Sequence, residues 1–154
     1  MPSYKKAMSA RRAFLLAKQF INELPVAAII AGSLRRGEDE VGDIDIVSIG
    51  TFPTEVEGAE FVSGGNVMRT YLFHGVQINV MIAQPDAVGA MLLYATGSGS
   101  FGAMLRVKAK RKGFKLNRYG LFDRDTGELV VADTEDDIFD ALDKRFYEPH
   151  ERIR

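Results

Sequence analysis

The stretch GSLRRGEDEVGDIDIVSIG, from Gly32 to Gly50, decides how the rest of the chain is interpreted. It is flanked by the apolar run VAAIIA and contains a second one, IDIVSI, and both are typical of strands in a sheet. A glycine, a hydroxyl and two arginines lie between these runs, and Asp43 and Asp45 lie at the start of the second. The pattern indicates a polar site at the edge of a buried sheet.

The two halves of this stretch suit a phosphorylated ligand. A Gly-Ser turn after a strand offers backbone N–H groups and the Ser33 hydroxyl to phosphate oxygens, and Arg36 adds a planar cationic donor. Asp43 and Asp45 are two residues apart on a strand, so both carboxylates project from one face and can bind a cation such as Mg²⁺. Either half alone also occurs in surface turns and strand ends. Their combination favours a site for a nucleotide and a metal ion.

Composition limits the class of protein. The chain has 154 residues, 46% of them hydrophobic, which is enough for one globular unit or two small lobes with a shared interface. It has no cysteine and only two histidines, far apart, so a disulfide framework and a structural zinc site are not expected. No apolar run reaches membrane-spanning length and no secretion signal is evident at the N-terminus. We expect a soluble cytoplasmic monomer without membrane contacts.

Charge is segregated along the chain, although the net charge is only −1. Residues 1–22 carry five Lys or Arg and no acid, whereas residues 23–86 carry ten acids and three bases. Residues 87–122 carry seven bases and no acid, and residues 123–154 carry eleven acids and five bases. Ordinary surfaces mix both signs, so the acid-free stretch predicts a lobe that faces a polyanion, with a solvated basic helix face as the alternative.

The pattern of apolar residues predicts an α+β fold in two parts. A mixed sheet with helices is expected over residues 1–85, and helices with a β-hairpin over 86–154, because the period changes near Gln84. The predicted sheet part has a helix over residues 4–23, strands over 26–31 and 44–49, and the strands MRTYLFHG and VQINVMIA joined by a turn at His74-Gly75. Polar, Gly-rich connections are expected between residue 50 and the third strand.

The predicted second part begins with a helix from Pro85-Asp86 to Leu93. A basic helix follows from Ser98 to Lys112, ended by Gly113. The stretch LNRYGLFDRDTGELVVA predicts a hairpin that turns at residues 125–127. Thr134 is predicted to cap a last helix, EDDIFDAL, whose run EDDIFD we expect to form a solvated face.

Two motifs together resemble the DNA polymerase X family. GSLRRGEDEVGDIDIV is similar to that family's nucleotidyltransferase signature, and LLYATGS, from Leu92 to Ser98, is similar to its Tyr-Phe-Thr-Gly-Ser turn. The basic helix, GFKLNRYGLF and the closing FYEPHER resemble the family's thumb. The resemblance extends from residue 4 onward and implies a compact member with a nucleotidyltransferase palm over residues 1–85 and a thumb over 86–154.

The resemblance implies roles for individual residues. Asp43 and Asp45 match the carboxylates that hold two Mg²⁺ ions, for which Mn²⁺ can substitute, and dNTP and DNA are the implied partners. Ala95 and Gly102 depart from the family, where an aromatic residue and an Asn that reads the minor groove are common. The residues expected to bind the incoming nucleotide are Ser33, Arg36, Gly42, Tyr94 and Gly97. Those expected to bind DNA are Arg106, which matches a thumb arginine, with Lys108 and Lys112 of the basic segment.

Asn79 is the sharpest departure from the family. The resemblance places it at the position of a third catalytic carboxylate, on the strand VQINVMIA. An amide oxygen can ligate Mg²⁺, but it brings no charge and is a poor proton acceptor. The ion that activates the primer 3′-hydroxyl should therefore bind weakly, while the ion that accompanies the triphosphate keeps Asp43 and Asp45.

Three functions follow from this sequence. The first is a template-directed, metal-dependent DNA polymerase that fills short gaps during repair. The second is a nucleotidyltransferase that acts on another acceptor, such as an RNA end or a small molecule, although a small acceptor does not require a basic thumb. The third is a catalytically weakened protein that binds nucleotide and DNA, for which Asn79 is the observation.

Overall fold

The structure is a computed structural model that describes residues 7–153. The helices are α1 (Ala10–Asn22), α2 (Gly32–Arg35), α3 (Val88–Thr96), α4 (Gly99–Arg111) and α5 (Glu135–Ala141). The strands are β1 (Met8–Ser9), β2 (Ala28–Ala31), β3 (Glu40–Val41), β4 (Ile44–Ile49), β5 (Ala59–Gly64), β6 (Met68–Phe73), β7 (Val76–Ala83), β8 (Phe114–Asn117), β9 (Gly120–Asp123) and β10 (Leu129–Val131). The predicted α+β class is confirmed.

A five-stranded mixed sheet forms the first part, in the order β2-β4-β7-β6-β5. The predicted strand at IDIVSI is β4, and it pairs parallel with β7 in a register that sets Asp45 opposite Asn79. Strand β6 pairs antiparallel with β7 through a turn at His74-Gly75, as predicted. Because β4 and β7 are paired and parallel, side chains at matching positions of the two strands lie next to one another.

Two edge strands differ from the sequence prediction. Strand β2 begins at Ala28 and is only partly buried, because it is an edge strand and pairs with β4 alone. The expected irregular connection after residue 50 contains β5, the opposite edge strand, whose residues are mostly exposed. An edge strand packs against fewer apolar neighbours than a central strand, which accounts for the partial burial of β2 and for the weak sequence signal of β5.

Helix α1 covers one face of this sheet. The Ser9 side chain accepts from the Arg12 N–H, so the described helix begins at Ala10 and not at residue 4, while residues 4–6 lie outside the described part. Phe20 is fully buried and packs 5.4 Å from Tyr71 and 5.5 Å from Phe73, measured between ring centroids. Burial of such a side chain contributes roughly 2 kcal/mol, which fixes the helix to the sheet.

The second part contains α3, α4, α5 and a three-stranded antiparallel sheet. Helix α4 is one residue shorter at each end than predicted, because Ser98 and Lys112 are its caps, and Gly113 follows it as predicted. Helix α3 continues to Thr96, three residues beyond the predicted end. The predicted hairpin is present as β9 and β10, but β8 extends it to three strands, in the order β10-β9-β8.

The two parts have separate apolar cores with a small cluster between them. The first core lies within residues 8–82 and the second within residues 87–147. The bridging cluster contains Ala31, Val47, Ala83 and Met91. The division into domains at residues 85 and 86 remains a prediction, and the two cores lie on either side of it. Within residues 7–153, no helix combines the length and apolarity that crossing a bilayer requires.

Candidate active site

Gly32 brings the chain directly against Asp45. It follows the last residue of β2 with φ of +63°, in the left-handed region that favours glycine. A Cβ atom at this position would lie 2.2 Å from Oδ2 of Asp45. The predicted Gly-Ser turn is the single helical turn α2, in which Ser33 is half-buried and Arg36 N–H donates to the Gly32 carbonyl at 3.1 Å.

Asp43 and Asp45 are brought together by Asn79. Both carboxylates are half-buried, whereas Asn79 is 7% exposed. The Asn79 amide nitrogen donates to Oδ2 of Asp43 at 2.9 Å and to Oδ1 of Asp45 at 3.0 Å. The three residues assigned to catalysis therefore form one cluster in the described structure.

The Asn79 amide has a defined orientation. Its Oδ1 accepts from Nε2 of Gln77 at 3.0 Å and from the Thr70 hydroxyl at 3.2 Å. Thr70 lies opposite Asn79 on β6, so the neighbouring strand helps to orient the amide. The amide hydrogens consequently face the two carboxylates, and the amide oxygen faces away from them.

This arrangement fits a divalent ion only in part. Two carboxylates on one face suit a hard cation such as Mg²⁺, which prefers oxygen ligands. The amide oxygen of Asn79 is turned toward Gln77 and Thr70, so it is not directed at the same point. Among the described residues, no cluster of three or more His, Cys, Asp or Glu side chains is suited to a metal ion. The geometry supports an ion on Asp43 and Asp45, and a second ion would require Asn79 to reorient.

Arg36 connects this cluster to the end of α3. Its Nη1 donates to the Thr96 carbonyl at 2.6 Å, and its Nη2 pairs with Glu38. Gly97, with φ of +66°, lies so close that a Cβ atom there would be 3.2 Å from Arg36 Nη1. Ser33, Arg36 and Gly97 of the predicted nucleotide site are thus on adjoining segments.

Gly42 and Tyr94 complete the set of residues expected to bind the nucleotide. Gly42 precedes Asp43 and lines a cavity of about 320 Å³ with Arg12 and His74. Tyr94 is 42% exposed and lies on α3, two residues before Thr96. Gly42 lines this cavity, whereas Tyr94 lines a different one.

A buried ion cluster next to the site was missed by sequence reasoning. Glu135 is 7% exposed and accepts from Arg35 at 2.8 Å through both oxygens. It also accepts from Arg152, which is completely buried, at 2.7 and 3.2 Å. Arg35 Nη1 also donates to the Thr96 hydroxyl at 2.8 Å. The prediction that EDDIFD forms a solvated face is therefore wrong for Glu135, and for the buried Ile138 and Phe139.

The ion cluster determines the protonation of Glu135. Burial raises the pKa of this carboxyl, but hydrogen bonds from Arg35 and Arg152 outweigh burial and hold the pKa below its ordinary value of 4.5. Glu135 is ionised at neutral pH and joins α5 to α2 and to the C-terminal segment. In the sequence, the first turn of α5 is recognisable only as acidic. Charge alone does not show that Glu135 is buried and that its neighbour Asp136 is exposed.

A second cavity lies between α3, α4 and the turn that joins β8 to β9. Its volume is about 310 Å³. An apolar part is formed by Ala90, Leu93, Leu105 and Leu116, and the remaining lining residues are Tyr94, Gly102, Arg106, Asn117 and Arg118. It therefore contains a residue of the predicted nucleotide site and one of the predicted DNA contacts.

The three residues expected to bind DNA have different surroundings. Arg106 is exposed and makes no hydrogen bond or ion pair within residues 7–153. Lys108 is half-buried on the same helix. Lys112 pairs with Asp143, and this hydrogen bond lowers the pKa of the Asp143 carboxyl. Lys112 thus already has an anionic partner, unlike Arg106.

Comparisons with known proteins agree with this fold. Residues 91–153 match the DNA polymerase beta thumb family. The chain is similar to the Repair DNA polymerase X of African swine fever virus: the Kenyan pig isolate is 26% identical over 162 residues, covering 96% of this chain and 93% of the viral protein. The South African tick isolate is 27% identical over 161 residues, covering 95% and 92%. DNA polymerase IV of Saccharomyces cerevisiae is 36% identical over 67 residues, covering 44% of this chain and 11% of the yeast protein.

The fold is α+β, and its second part matches a thumb of the DNA polymerase beta type. The matches to the viral proteins cover nearly the whole length of both chains. Over this length the chain is similar to DNA polymerases named as X-type repair enzymes, and its residues 91–153 match the thumb family.

Proposed function

We propose that this protein is a template-directed DNA polymerase that adds dNMP to a primer 3′-hydroxyl while filling short gaps in DNA repair. The observation that carries this proposal is the cluster of Asp43, Asp45 and Asn79 beside Gly32, in a chain whose residues 91–153 match a DNA polymerase thumb. The similar viral proteins are named as repair DNA polymerases. Monomeric state and cytoplasmic location remain predictions from the sequence.

Different residues around the cluster bind the phosphates and the sugar of the nucleotide. The Ser33 hydroxyl and the Arg36 guanidinium donate to phosphate oxygens, and the Gly42 backbone contributes a further N–H. Arg36 also donates to the Thr96 carbonyl, which links triphosphate binding to the segment that carries Tyr94 and Gly97. Tyr94 and Gly97 then lie against the sugar.

Members of this family use divalent cations, and we propose two Mg²⁺ ions that Mn²⁺ can replace. When bound, the ions neutralise phosphate charge and lower the pKa of the attacking hydroxyl. Asp43 and Asp45 would hold both ions, and Asn79 would complete one site only after its amide turned away from Gln77 and Thr70. Asn79 supplies no charge, so we expect slow transfer.

A gap-filling assay tests the proposal. The protein is incubated with a one-nucleotide gapped duplex, the complementary dNTP and either Mg²⁺ or Mn²⁺, and extension is followed in a single turnover. Asp43→Ala and Asp45→Ala should abolish extension, whereas Asp136→Ala, which removes an exposed acid of α5, should not. Extension by either active-site variant at the rate of the unmodified chain would contradict the assignment.

The orientation of Asn79 supports a second candidate function. A protein that binds nucleotide and DNA with little transfer is compatible with an amide that donates to both carboxylates. In the same assay, nucleotide-dependent DNA complexes without extension in either metal would favour this candidate. Transfer to an RNA end or a small molecule, and not to the DNA primer, would favour the other nucleotidyltransferase activity.

A further inference from the structure

Gln77 lies two residues before Asn79 on β7, so both side chains project from the same face of the sheet. The Gln77 Nε2 donates to the Asn79 Oδ1 at 3.0 Å, and the Thr70 hydroxyl donates to the same oxygen at 3.2 Å. Gln77 and Thr70 are half-buried, whereas Asn79 is 7% exposed. Two donors therefore meet the amide oxygen of Asn79 in a site with little access to water.

The orientation of the Asn79 amide decides which atoms face the two carboxylates. In the structure its nitrogen donates to Asp43 at 2.9 Å and to Asp45 at 3.0 Å. If the amide turned over, it would present its oxygen, which ligates hard cations but lies unfavourably against carboxylate oxygens. The observed orientation therefore suits the site without a metal ion, and the turned orientation suits the site with one.

Gln77 and Thr70 differ in how they respond to a turned amide. A hydroxyl can donate or accept, so Thr70 can bond either end of the Asn79 amide. Gln77 meets Asn79 with its amide nitrogen, which only donates, so a turned Asn79 would place two NH2 groups against each other. Donors left without an acceptor in a half-buried site are unfavourable unless Gln77 turns as well. Gln77 thus opposes the turned orientation more than Thr70 does.

We propose that Gln77 is a positioning residue that keeps the N–H groups of Asn79 on Asp43 and Asp45 and thereby weakens the binding of a divalent cation there. The inference deepens the proposed function and depends on its metal site. Rotation of a terminal amide is sufficient for the change, because this torsion has two broad minima. Gln77 acts on the cation through Asn79.

The affinity for a metal ion alone tests this proposal without requiring transfer. Mn²⁺ is titrated into the protein while free Mn²⁺ is measured by electron paramagnetic resonance, and the affinity for Mg²⁺ is obtained by competition. Gln77→Met replaces the amide with an apolar chain of similar length, so the Asn79 oxygen loses one donor. We expect the affinity for Mn²⁺ to rise about fivefold, the equivalent of one hydrogen bond. Gln77→Ala removes the same donor and should give a rise of the same order.

Matched variants show whether the effect belongs to this contact. Gln84→Met changes an exposed glutamine just after β7 and should leave the affinity for Mn²⁺ unchanged. Thr70→Val should have a smaller effect than Gln77→Met, because the Thr70 hydroxyl can bond both orientations. In an Asn79→Ala background, Gln77→Met should have no effect on the affinity, since the side chain through which it acts is absent.

The side-chain signals of Asn79 report the orientation directly. In a ¹⁵N-labelled protein these amide resonances are assigned by their absence from Asn79→Asp. They should shift when Mg²⁺ is added to the unmodified chain, as the amide turns. In Gln77→Met, part of that shift should be present before any metal is added, because the turned orientation is more populated.

Several outcomes would overturn the proposal. One is an affinity for Mn²⁺ that stays the same or falls in both Gln77→Met and Gln77→Ala. Another is a rise that is matched by Gln84→Met or that persists in the Asn79→Ala background, since Gln77 would then act by another route. If Asp43→Ala abolishes Mn²⁺ binding while changes at Gln77 have no effect, the proposed metal site stands and this inference alone fails. If the unmodified chain binds no Mn²⁺, the proposed metal site fails, and this inference fails with it.

Discussion

The side-chain amide of Asn79 donates to Asp45 at 3.0 Å across the parallel strands β4 and β7. A second donation, to Asp43 at 2.9 Å, allows Asn79 to contact both carboxylates at once. Two anions that converge on a metal site repel one another when no cation is bound. The N–H groups of Asn79 offset this repulsion. In this orientation the amide oxygen faces Gln77 and Thr70, so it is not available as a ligand for a metal ion.

Replacing Asn79 with Asp should increase the rate of nucleotide transfer by about 10²- to 10⁴-fold. The new carboxylate adds charge at the ion beside the 3′-hydroxyl and can accept its proton, whereas the proposed triphosphate ligands, Ser33 and Arg36, are unchanged. The effect should be measured as a single-turnover rate, with little change in nucleotide affinity. In the unmodified chain, Mn²⁺ should reproduce part of the increase, because it tolerates an amide ligand better than Mg²⁺ does.

The melting temperature of Asn79→Asp, measured with and without Mg²⁺, serves as a control for this prediction. Without metal, Asn79→Asp places three carboxylates together, so its melting temperature should fall and should recover on addition of Mg²⁺ more than that of the unmodified chain. An unchanged transfer rate together with an unchanged response to Mg²⁺ would show that residue 79 does not contribute to the metal site.

Gly32→Ala should reduce transfer on the order of 10²-fold or more, because displacement of a catalytic group by about 1 Å has effects of this size. The new Cβ atom would meet Oδ2 of Asp45 at 2.2 Å, so the carboxylate must shift. Gly37→Ala is the matched control: Gly37 also has a positive φ, of +79°, but no atom lies within 4 Å of an added Cβ. Equal loss of activity in both variants would attribute the effect to backbone strain alone.

Glu135→Gln should lower the free energy of unfolding by about 3–5 kcal/mol, because Arg152 would keep its charge in a fully buried position without a carboxylate partner. Chemical denaturation measures this change. Asp136→Asn, which alters an exposed neighbour in the same helix turn, should change stability by less than about 0.5 kcal/mol.

The pH dependence of stability should identify the same residue. The folded pKa of Glu135 is below its ordinary value of 4.5, so its contribution is complete above that value and is lost as the pH falls through the folded pKa. Glu135→Gln should therefore flatten the loss of unfolding free energy below about pH 4.5 relative to the unmodified chain. A pH profile of the same slope in both proteins would exclude Glu135 as the titrating group.

DNA binding should decrease about tenfold or more between low and physiological salt if several phosphates are neutralised. Arg106→Glu should weaken binding and reduce the salt dependence more than Lys112→Glu does, because Lys112 is paired with Asp143. Fluorescence anisotropy of a gapped duplex at several salt concentrations measures both quantities. Binding that is insensitive to salt, or to the combined reversal of Arg106, Lys108 and Lys112, would exclude this basic surface.

The central elements could be predicted because their signals are local. IDIVSI and VQINVMIA are apolar runs of strand length, and the turn at His74-Gly75 has positive φ at both residues, 52° and 76°. Helix α4 has its cap at Ser98 and ends before Gly113, so both ends are encoded in the sequence. Strand β5 was missed because an exposed edge strand carries no apolar alternation.

The orientation of side chains in the site could not be predicted from local patterns. The motif placed Asp43 and Asp45 together, but the direction of the Asn79 amide depends on Gln77 and on Thr70 of another strand. The burial of Glu135 likewise depends on Arg35, which is 100 residues away in the chain. Such contacts are properties of the folded state and leave no periodic signal in the sequence.

Helix α3 supplies residues to two apolar clusters from different sides. Ala90 and Leu93 pack in the second core, whereas Met91 packs with Ala31, Val47 and Ala83. Insertion of a single residue within this helix would rotate the side chains that follow by about 100° around the helix axis. These side chains would then no longer face the cluster in which they now pack. Insertions and deletions within α3 should therefore disrupt packing. They should be tolerated at the exposed turn over residues 124–128. That turn is the suitable position for an inserted label or affinity tag.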